Sequence, residues 1–251
     1  MVNHYFTHGS GRSKVLVLNG WFGSSGAWSA LIPSLNGSDL TWAFMDYRGY
    51  GGSRDVPGEH TIAEISGDAL AVADDLGWDR FSLVGHSMGG QFIQRILLDA
   101  PDRVERLVAV NPVPASGVPL DDDGRALFHG AVANRDNRYA IVDFTTGNRN
   151  TPVWVNSVVD HSLENSTTEA FGDYLEQWTT VDFHDEVVGN ETPLLAVVGE
   201  NDPALSAEVI TATFLEWYPN ATMETMANAG HYPMDETPVQ LATVMERFLV
   251  G

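Results

Sequence analysis

The sequence predicts an α/β protein: a mostly parallel, doubly wound sheet with a helical cap inserted late in the sheet. Three observations carry this. Short apolar runs alternate with helical patterns along most of the chain. The runs are continuously apolar rather than alternating, as strands covered on both faces must be. One long stretch breaks the alternation and reads as helix throughout.

The elements follow in order. Val15-Leu16-Val17-Leu18 reads as a buried strand ended by Asn19-Gly20. Trp42-Ala43-Phe44-Met45 is the next, ended by Asp46. A helix over Ile62 to Leu76 precedes the strand Phe81-Ser82-Leu83-Val84, and a helix over Gln91 to Leu98 precedes Leu107-Val108-Ala109-Val110. From Pro112 to Asn190 no strand pattern occurs. Phe171, Tyr174, Leu175 and Trp178 stand there at i, i+3, i+4 and i+7, one face of a helix. Phe128, Tyr139, Phe144 and Trp154 add bulk to the same segment. They read as its own core, with some facing a pocket against the sheet, where ligand sites of such folds lie. Leu194-Leu195-Ala196-Val197-Val198 resumes the sheet. The expected division is a core of residues 1–112 and 191–251 with a cap of residues 113–190.

Composition narrows the function. A chain of 251 residues supports one large core. Thirteen basic against 34 acidic residues give a net charge of −21, which speaks against nucleic acid or an anionic membrane as partner. Lys14 is the only lysine, so amine catalysis has almost no material. With no cysteine, thiol catalysis, disulfides and thiolate metal sites are excluded. No His/Asp/Glu cluster has ligand spacing, so no metal or other cofactor is expected. The start of the chain lacks a basic stretch followed by an apolar one, and no run reaches membrane-spanning length. The expectation is a cytoplasmic monomer or homodimer acting on a small molecule.

The chemistry centres on Gly85-His86-Ser87-Met88-Gly89. The pattern Gly-x-Ser-x-Gly is loose by itself. Here it lies between the strand Phe81–Val84 and a helix, the setting of a strained strand-to-helix turn that presents a nucleophile. Its glycines permit a tight turn and close backbone approach. Ser87 then stands at a helix N-terminus, where free N–H groups favour negative charge.

A serine hydroxyl needs a neutral imidazole base, and the base needs an acid to fix its tautomer. Asp202, in Gly199-Glu200-Asn201-Asp202-Pro203, falls just past the carboxyl end of the late strand. His231, in Asn228-Ala229-Gly230-His231-Tyr232-Pro233, precedes the last helix. These are the expected acid and base. Glu200 would point away, and Asn111, after the strand Leu107–Val110, cannot carry charge. His86 packs beside the turn, His4 and His8 lie in the N-terminal extension, and His129, His161 and His184 read as surface or packing residues. A tetrahedral intermediate needs preorganised donors. The N–H groups of Met88 and of Trp21, in Asn19-Gly20-Trp21-Phe22-Gly23-Ser24, are assigned to that oxyanion hole. Phe22 and Tyr232 are the expected substrate contacts.

These residues resemble the α/β-hydrolase superfamily, in its cap-bearing esterase and lactonase branch, over nearly the whole chain. Leu18-Asn19-Gly20-Trp21 resembles the family's His-Gly oxyanion loop, with asparagine where histidine is usual. Asp46-Tyr47-Arg48-Gly49-Tyr50-Gly51-Gly52-Ser53 resembles its Asp-x-Arg-Gly-x-Gly-x-Ser turn and is read as structural. Epoxide hydrolases and haloalkane dehalogenases of this fold carry aspartate at the nucleophile position, which Ser87 does not match. Hydroxynitrile lyases use a lysine near the acid, where this chain has Pro203. The resemblance implies hydrolysis of an ester or lactone through an acyl-enzyme. Size and compact cap are similar to actinobacterial N-acyl-homoserine lactonases, which silence acyl-lactone signals (quorum quenching). Carboxylester or thioester hydrolysis, C–C hydrolysis on the same triad, and a hydrolase-fold receptor for a small lactone stand as alternatives.

Overall fold

The computed structural model describes residues 2–251; residue 1 of the expected core lies outside the described residues. Seven strands form one sheet: β1 (Tyr5–Gly9), β2 (Ser13–Leu18), β3 (Leu40–Met45), β4 (Phe81–His86), β5 (Val104–Val110), β6 (Leu194–Gly199) and β7 (Ala221–Met226). Their spatial order is β1-β3-β2-β4-β5-β6-β7. Only β1 runs antiparallel, against β3, and every other pairing is parallel.

The five inner strands carry the apolar runs, β3 with Leu40 to Met45 among them. Val15 to Leu18, Leu83, Val84, Leu107 to Val110 and Leu194 to Val198 are all essentially inaccessible. Such continuous burial follows from helices on both faces. Each fully buried aliphatic side chain stabilises by about 1.5–3 kcal/mol before entropy is counted. Helix α1 (Ile62–Asp75) begins at Thr61, whose side chain accepts from Glu64 N, and buries Ile65, Ala69 and Val72. Helix α2 (Met88–Asp99) buries Phe92, Ile93, Ile96 and Leu97.

Between β5 and β6 the chain makes a helical excursion: α3 (Asp122–Gly130), α4 (Arg135–Thr145), α5 (Pro152–Asn165), α6 (Thr168–Thr180) and the single turn α7 (His184–Val187). Asp121, Asn134, Thr151 and Thr167 cap the first four through side-chain oxygens on free N–H groups. Phe171, Tyr174, Leu175 and Trp178 of α6 are buried, as their spacing requires, while Phe144 of α4 is exposed. After β6 come α8 (Ala207–Ala212), α9 (Phe214–Trp217), β7, the turn α10 (Pro233–Glu236) and α11 (Pro238–Val250). Among the described residues, no helix is long and apolar enough to cross a membrane.

The Asp46–Ser53 turn is a structural knot. Asp46 is buried and accepts from Ser25 N at 2.7 Å, Ser25 Oγ at 3.1 Å and Gly52 N at 2.9 Å. Gly51 has φ of +49°, and an added Cβ would stand 2.4 Å from the Asp46 carboxylate. The next turn is clamped by Arg48, whose Nε and Nη2 both donate to Asp68 at 2.8 Å.

Candidate active site

Ser87 sits at the end of β4 with φ 52° and ψ −118°, a region closed to most L-residues. Packing forces the turn. A Cβ at Gly85 would stand 2.2 Å from Gly89 O, and one at Gly89 would stand 2.8 Å from the carbonyls of Leu18 and Asn19. The strained backbone is also tied down: Ser87 N donates to Val110 O at 2.9 Å, and Ser87 O accepts from Gly90 N at 2.8 Å and Val113 N at 2.9 Å. Although Ser87 occupies the N-cap position of α2, its side chain does not cap the helix. The hydroxyl is left free at the mouth of two cavities.

His231 is held on three sides. Its Nδ1 lies 2.6 Å from Asp202 Oδ2. Its N–H donates to Thr145 O of α4 at 3.2 Å. Its carbonyl accepts from His86 Nε2 at 2.7 Å. Burial, and then the neighbouring His231, push the His86 imidazole down to about 3, so it is neutral and its proton is on Nε2. Glu236 fastens the loop from below: Oε1 accepts from Gly230 N at 2.9 Å and Tyr232 N at 3.1 Å, while Oε2 meets Arg149 at 3.3 Å.

Asp202 is buried, yet both oxygens are occupied. Oδ2 accepts from His231 and from Asn111 Nδ2 at 2.8 Å; Oδ1 accepts from Ala204 N at 2.9 Å and Leu205 N at 3.2 Å. Burial alone would raise its pKa. The His231 ring and the Ala204 and Leu205 N–H groups outweigh that and hold the carboxyl below its ordinary value. With the Nδ1 proton directed at Asp202, His231 Nε2 keeps its lone pair. Ser87 Oγ and His231 Nε2 border both cavities but make no hydrogen bond with each other. Such catalytic hydrogen bonds are often long or unformed in ligand-free sites.

Trp21 lines both cavities with Ser87, and Met88 directly follows Ser87 in the chain. Met88 N is the first N–H of α2, and neither it nor Trp21 N donates to the backbone of the described residues. The loop comes this close because residue 20 is glycine, where a Cβ would stand 2.7 Å from His86 Nδ1 and 3.1 Å from Ser87 Cβ. Asn19 secures it by donating from Nδ2 to Gly23 O at 2.7 Å and Gly20 O at 3.2 Å. The Trp21 side chain is anchored in the excursion: Nε1 donates to Phe171 O at 2.7 Å, and the two rings stack at 4.0 Å. Glu200 instead accepts from Asn228 N at an exposed edge, away from His231.

Two cavities meet at Ser87, His231, Trp21, Phe22 and Tyr232. The wider, about 410 Å³, runs over Trp28, Trp154, Ser157, His161 and Asp235. The narrower, about 80 Å³, is walled by Val113, Leu120, Phe128, Ile141, Trp178 and Leu205. Phe22 and Tyr232 line both. Of the three excursion histidines, His129 is exposed and His184 half-exposed, but His161 goes beyond the expected surface or packing role. It packs against the early loop, with Nε2 3.0 Å from Ser24 Oγ, and borders the wider cavity as well. Asn111, set aside in the sequence because it cannot carry charge, donates to Asp202. Asp235 carried no signal at all.

Comparison with known proteins identifies the fold family. A family model described as alpha/beta hydrolase fold matches residues 14–238. The pimeloyl-[acyl-carrier protein] methyl ester esterase of Nitrosomonas europaea is 28% identical over 97% of this chain and 98% of its own. RutD of Caulobacter vibrioides, a carbamate hydrolase by name, is 37% identical over 43% of this chain; the chain spans 41% of that relative's length. Among solved structures, an esterase from Exiguobacterium antarcticum superposes with TM-score 0.88 at 17% identity, covering 99% of this chain and 95% of its own. Est816, described as an N-acyl homoserine lactone degrading enzyme, superposes with TM-score 0.83 at 22% identity over 98% and 96%.

Proposed function

The chain belongs to the alpha/beta hydrolase fold family, and from that premise we propose that it is a serine hydrolase cleaving carboxylic esters, lactones among them, through an acyl-enzyme on Ser87. One observation carries the reading: an unspent serine hydroxyl on a strained turn opens into the same cavities as a histidine whose Nδ1 is 2.6 Å from a buried aspartate.

In this reading His231 Nε2 takes the Ser87 proton as Oγ attacks the carbonyl carbon. The N–H groups of Trp21 and Met88 hold the oxyanion. His231 then returns the proton to the leaving oxygen as the C–O bond breaks. Water, deprotonated by the same imidazole, attacks the acyl-enzyme and frees the acid and Ser87. Asp202 stays ionised throughout; its role is to fix the tautomer and stabilise the imidazolium.

The narrow apolar cavity suits the acyl part. Residues 113–190 act as the cap that closes both cavities over the sheet. N-acyl-homoserine lactone is the lactone to try first, supported by the likeness to Est816 and the apolar wall. Methyl esters and carbamates, the substrates in the names of two relatives, belong in the same panel. The test is turnover of p-nitrophenyl esters, simple lactones, acyl-homoserine lactones, methyl esters and carbamates by the wild type and by Ser87→Ala. The reading requires turnover of at least one ester or lactone that Ser87→Ala abolishes.

A further inference from the structure

Two carboxylates follow the His231 loop side by side, and they differ sharply in use. Glu236 is fully engaged, by Gly230 N, Tyr232 N, Arg149 and Asn150. Asp235 borders the wider cavity, and its carboxylate meets no cation and accepts no hydrogen bond among the described residues. Holding an unpaired carboxylate partly out of water costs free energy. In a cavity that already holds the reacting serine, the missing partner is accounted for by a ligand group.

The surroundings say which kind. Trp154 and Tyr232, which meet edge to face at 5.5 Å, line the same cavity as Asp235, and so does Trp28. Aromatic faces beside a carboxylate attract ammonium groups. Two neighbouring polar side chains are already engaged. His161 is tied to Ser24 through Nε2, and the Ser157 hydroxyl donates to Trp154 O at 2.7 Å. His161 is moreover pushed down by burial, so it brings no competing positive charge. Burial, then Glu236, push the Asp235 carboxyl up to about 6, which leaves it ionised at pH 8. The net charge of −21 draws cations toward the molecule as a whole. The narrower cavity has no charged wall: Val113, Leu120, Phe128, Ile141 and Leu205 leave it to an apolar acyl group.

We propose that the wider cavity is the leaving-alcohol subsite and that Asp235, with Trp154 and Tyr232, selects esters whose alcohol carries an ammonium group. This rests on the ester-hydrolase reading above. The cation stays with the leaving alcohol; the bonds formed and broken are those already given, and Asp235 acts by binding.

The test compares kcat/KM for acetylcholine and for 3,3-dimethylbutyl acetate, its uncharged carbon isostere, at pH 8. The wild type favours acetylcholine. Asp235→Asn lowers the ratio of the two roughly tenfold, the scale of one partly desolvated ion pair, and Asp235→Glu retains the preference. The ethyl ester of trimethylglycine, with the same cation on the acyl side, responds less to Asp235→Asn. A ratio unmoved by Asp235→Asn overturns the proposal, as does a larger response for the trimethylglycine ester, which would reverse the two cavities. Hydrolysis of p-nitrophenyl acetate separates the two levels. If the wild type cleaves it, Ser87→Ala does not, and the ratio is unmoved, the subsite assignment alone fails. If Ser87→Ala matches the wild type on it, the hydrolase reading fails and takes the subsite with it.

Discussion

Asn111 and Asp202 are joined by a 2.8 Å hydrogen bond onto Oδ2, the same oxygen that meets His231 Nδ1 at 2.6 Å. The Asn111 carbonyl accepts from Gly199 N at 3.3 Å, so its amide is oriented from the end of β6 and cannot turn its acceptor toward the acid. Asn111 itself is held at φ 41°, a conformation asparagine tolerates better than most residues. It orients the Asp202 carboxylate that His231 Nδ1 meets.

Asn111→Leu therefore removes one donor from a buried carboxylate. A hydrogen bond to a charged group contributes about 1.5–3 kcal/mol, so kcat should fall roughly ten- to a hundredfold with KM little changed. The low-pH limb of the activity profile should also move, because Asp202 loses one of the groups that hold it ionised. Steady-state kinetics across pH checks both. An equal loss of stability with unchanged kcat would assign Asn111 a purely structural role.

Asp202→Asn leaves the packing nearly intact but deprives His231 Nδ1 of its charged acceptor and favours the wrong tautomer. A loss on the order of 10⁴ in kcat is expected. Glu200→Gln, which touches only the exposed Asn228 N–H, should cost less than twofold. The reverse ranking would move the acid to Glu200.

Gly20→Ala probes the approach of the oxyanion loop. A Cβ there would press on His86 Nδ1 at 2.7 Å and on Ser87 Cβ at 3.1 Å, displacing the Trp21 N–H from the turn. The kcat for an activated ester should drop about 10²–10³-fold, the scale of one lost oxyanion donor. Full activity in that variant would remove Trp21 from the hole.

Acid stability follows from two groups with opposite signs. His86 binds fewer protons folded, at about 3, than unfolded, near 6.5, so stability falls as pH drops through that window. Asp235, raised to about 6, binds more protons folded than an ordinary aspartate near 3.8 does unfolded, so stability rises as pH drops from 6 to 4. The two slopes oppose each other. Asp235→Asn removes the second, so its urea midpoint should be higher than the wild type's at pH 7.5 and fall more steeply between pH 6 and 4. The difference is about 2–3 kcal/mol at most. Parallel midpoint curves for the two proteins would contradict this.

The inner sheet was legible because strands buried on both faces leave unbroken apolar runs, as in Val15–Leu18 and Leu194–Val198. Strands β1 and β7 were not. Tyr5–Gly9 and Ala221–Met226 lie at the sheet edges with alternating or partial exposure, so their sequences mix Thr, His and Glu with apolar residues. The strand-end positions of Ser87 and Asp202 and the loop position of His231 were readable because chemistry and local spacing coincide there. His161, Trp154 and Asp235 reach the cavity only through packing between the excursion and the α10 turn, contacts no local pattern encodes. Asn111 has no charge to mark it in the sequence, yet a group that cannot be the acid can still hold it.

Whether Ser87 is the acyl-accepting nucleophile is read from mass spectrometry of the intact chain after mixing with excess p-nitrophenyl acetate at low pH. One added acetyl group is expected, located on the peptide containing Ser87, absent in Ser87→Ala, with that variant's thermal unfolding unchanged. Turnover of the ester by Ser87→Ala at the wild-type rate, or an acetyl group carried by another residue during turnover, would contradict it.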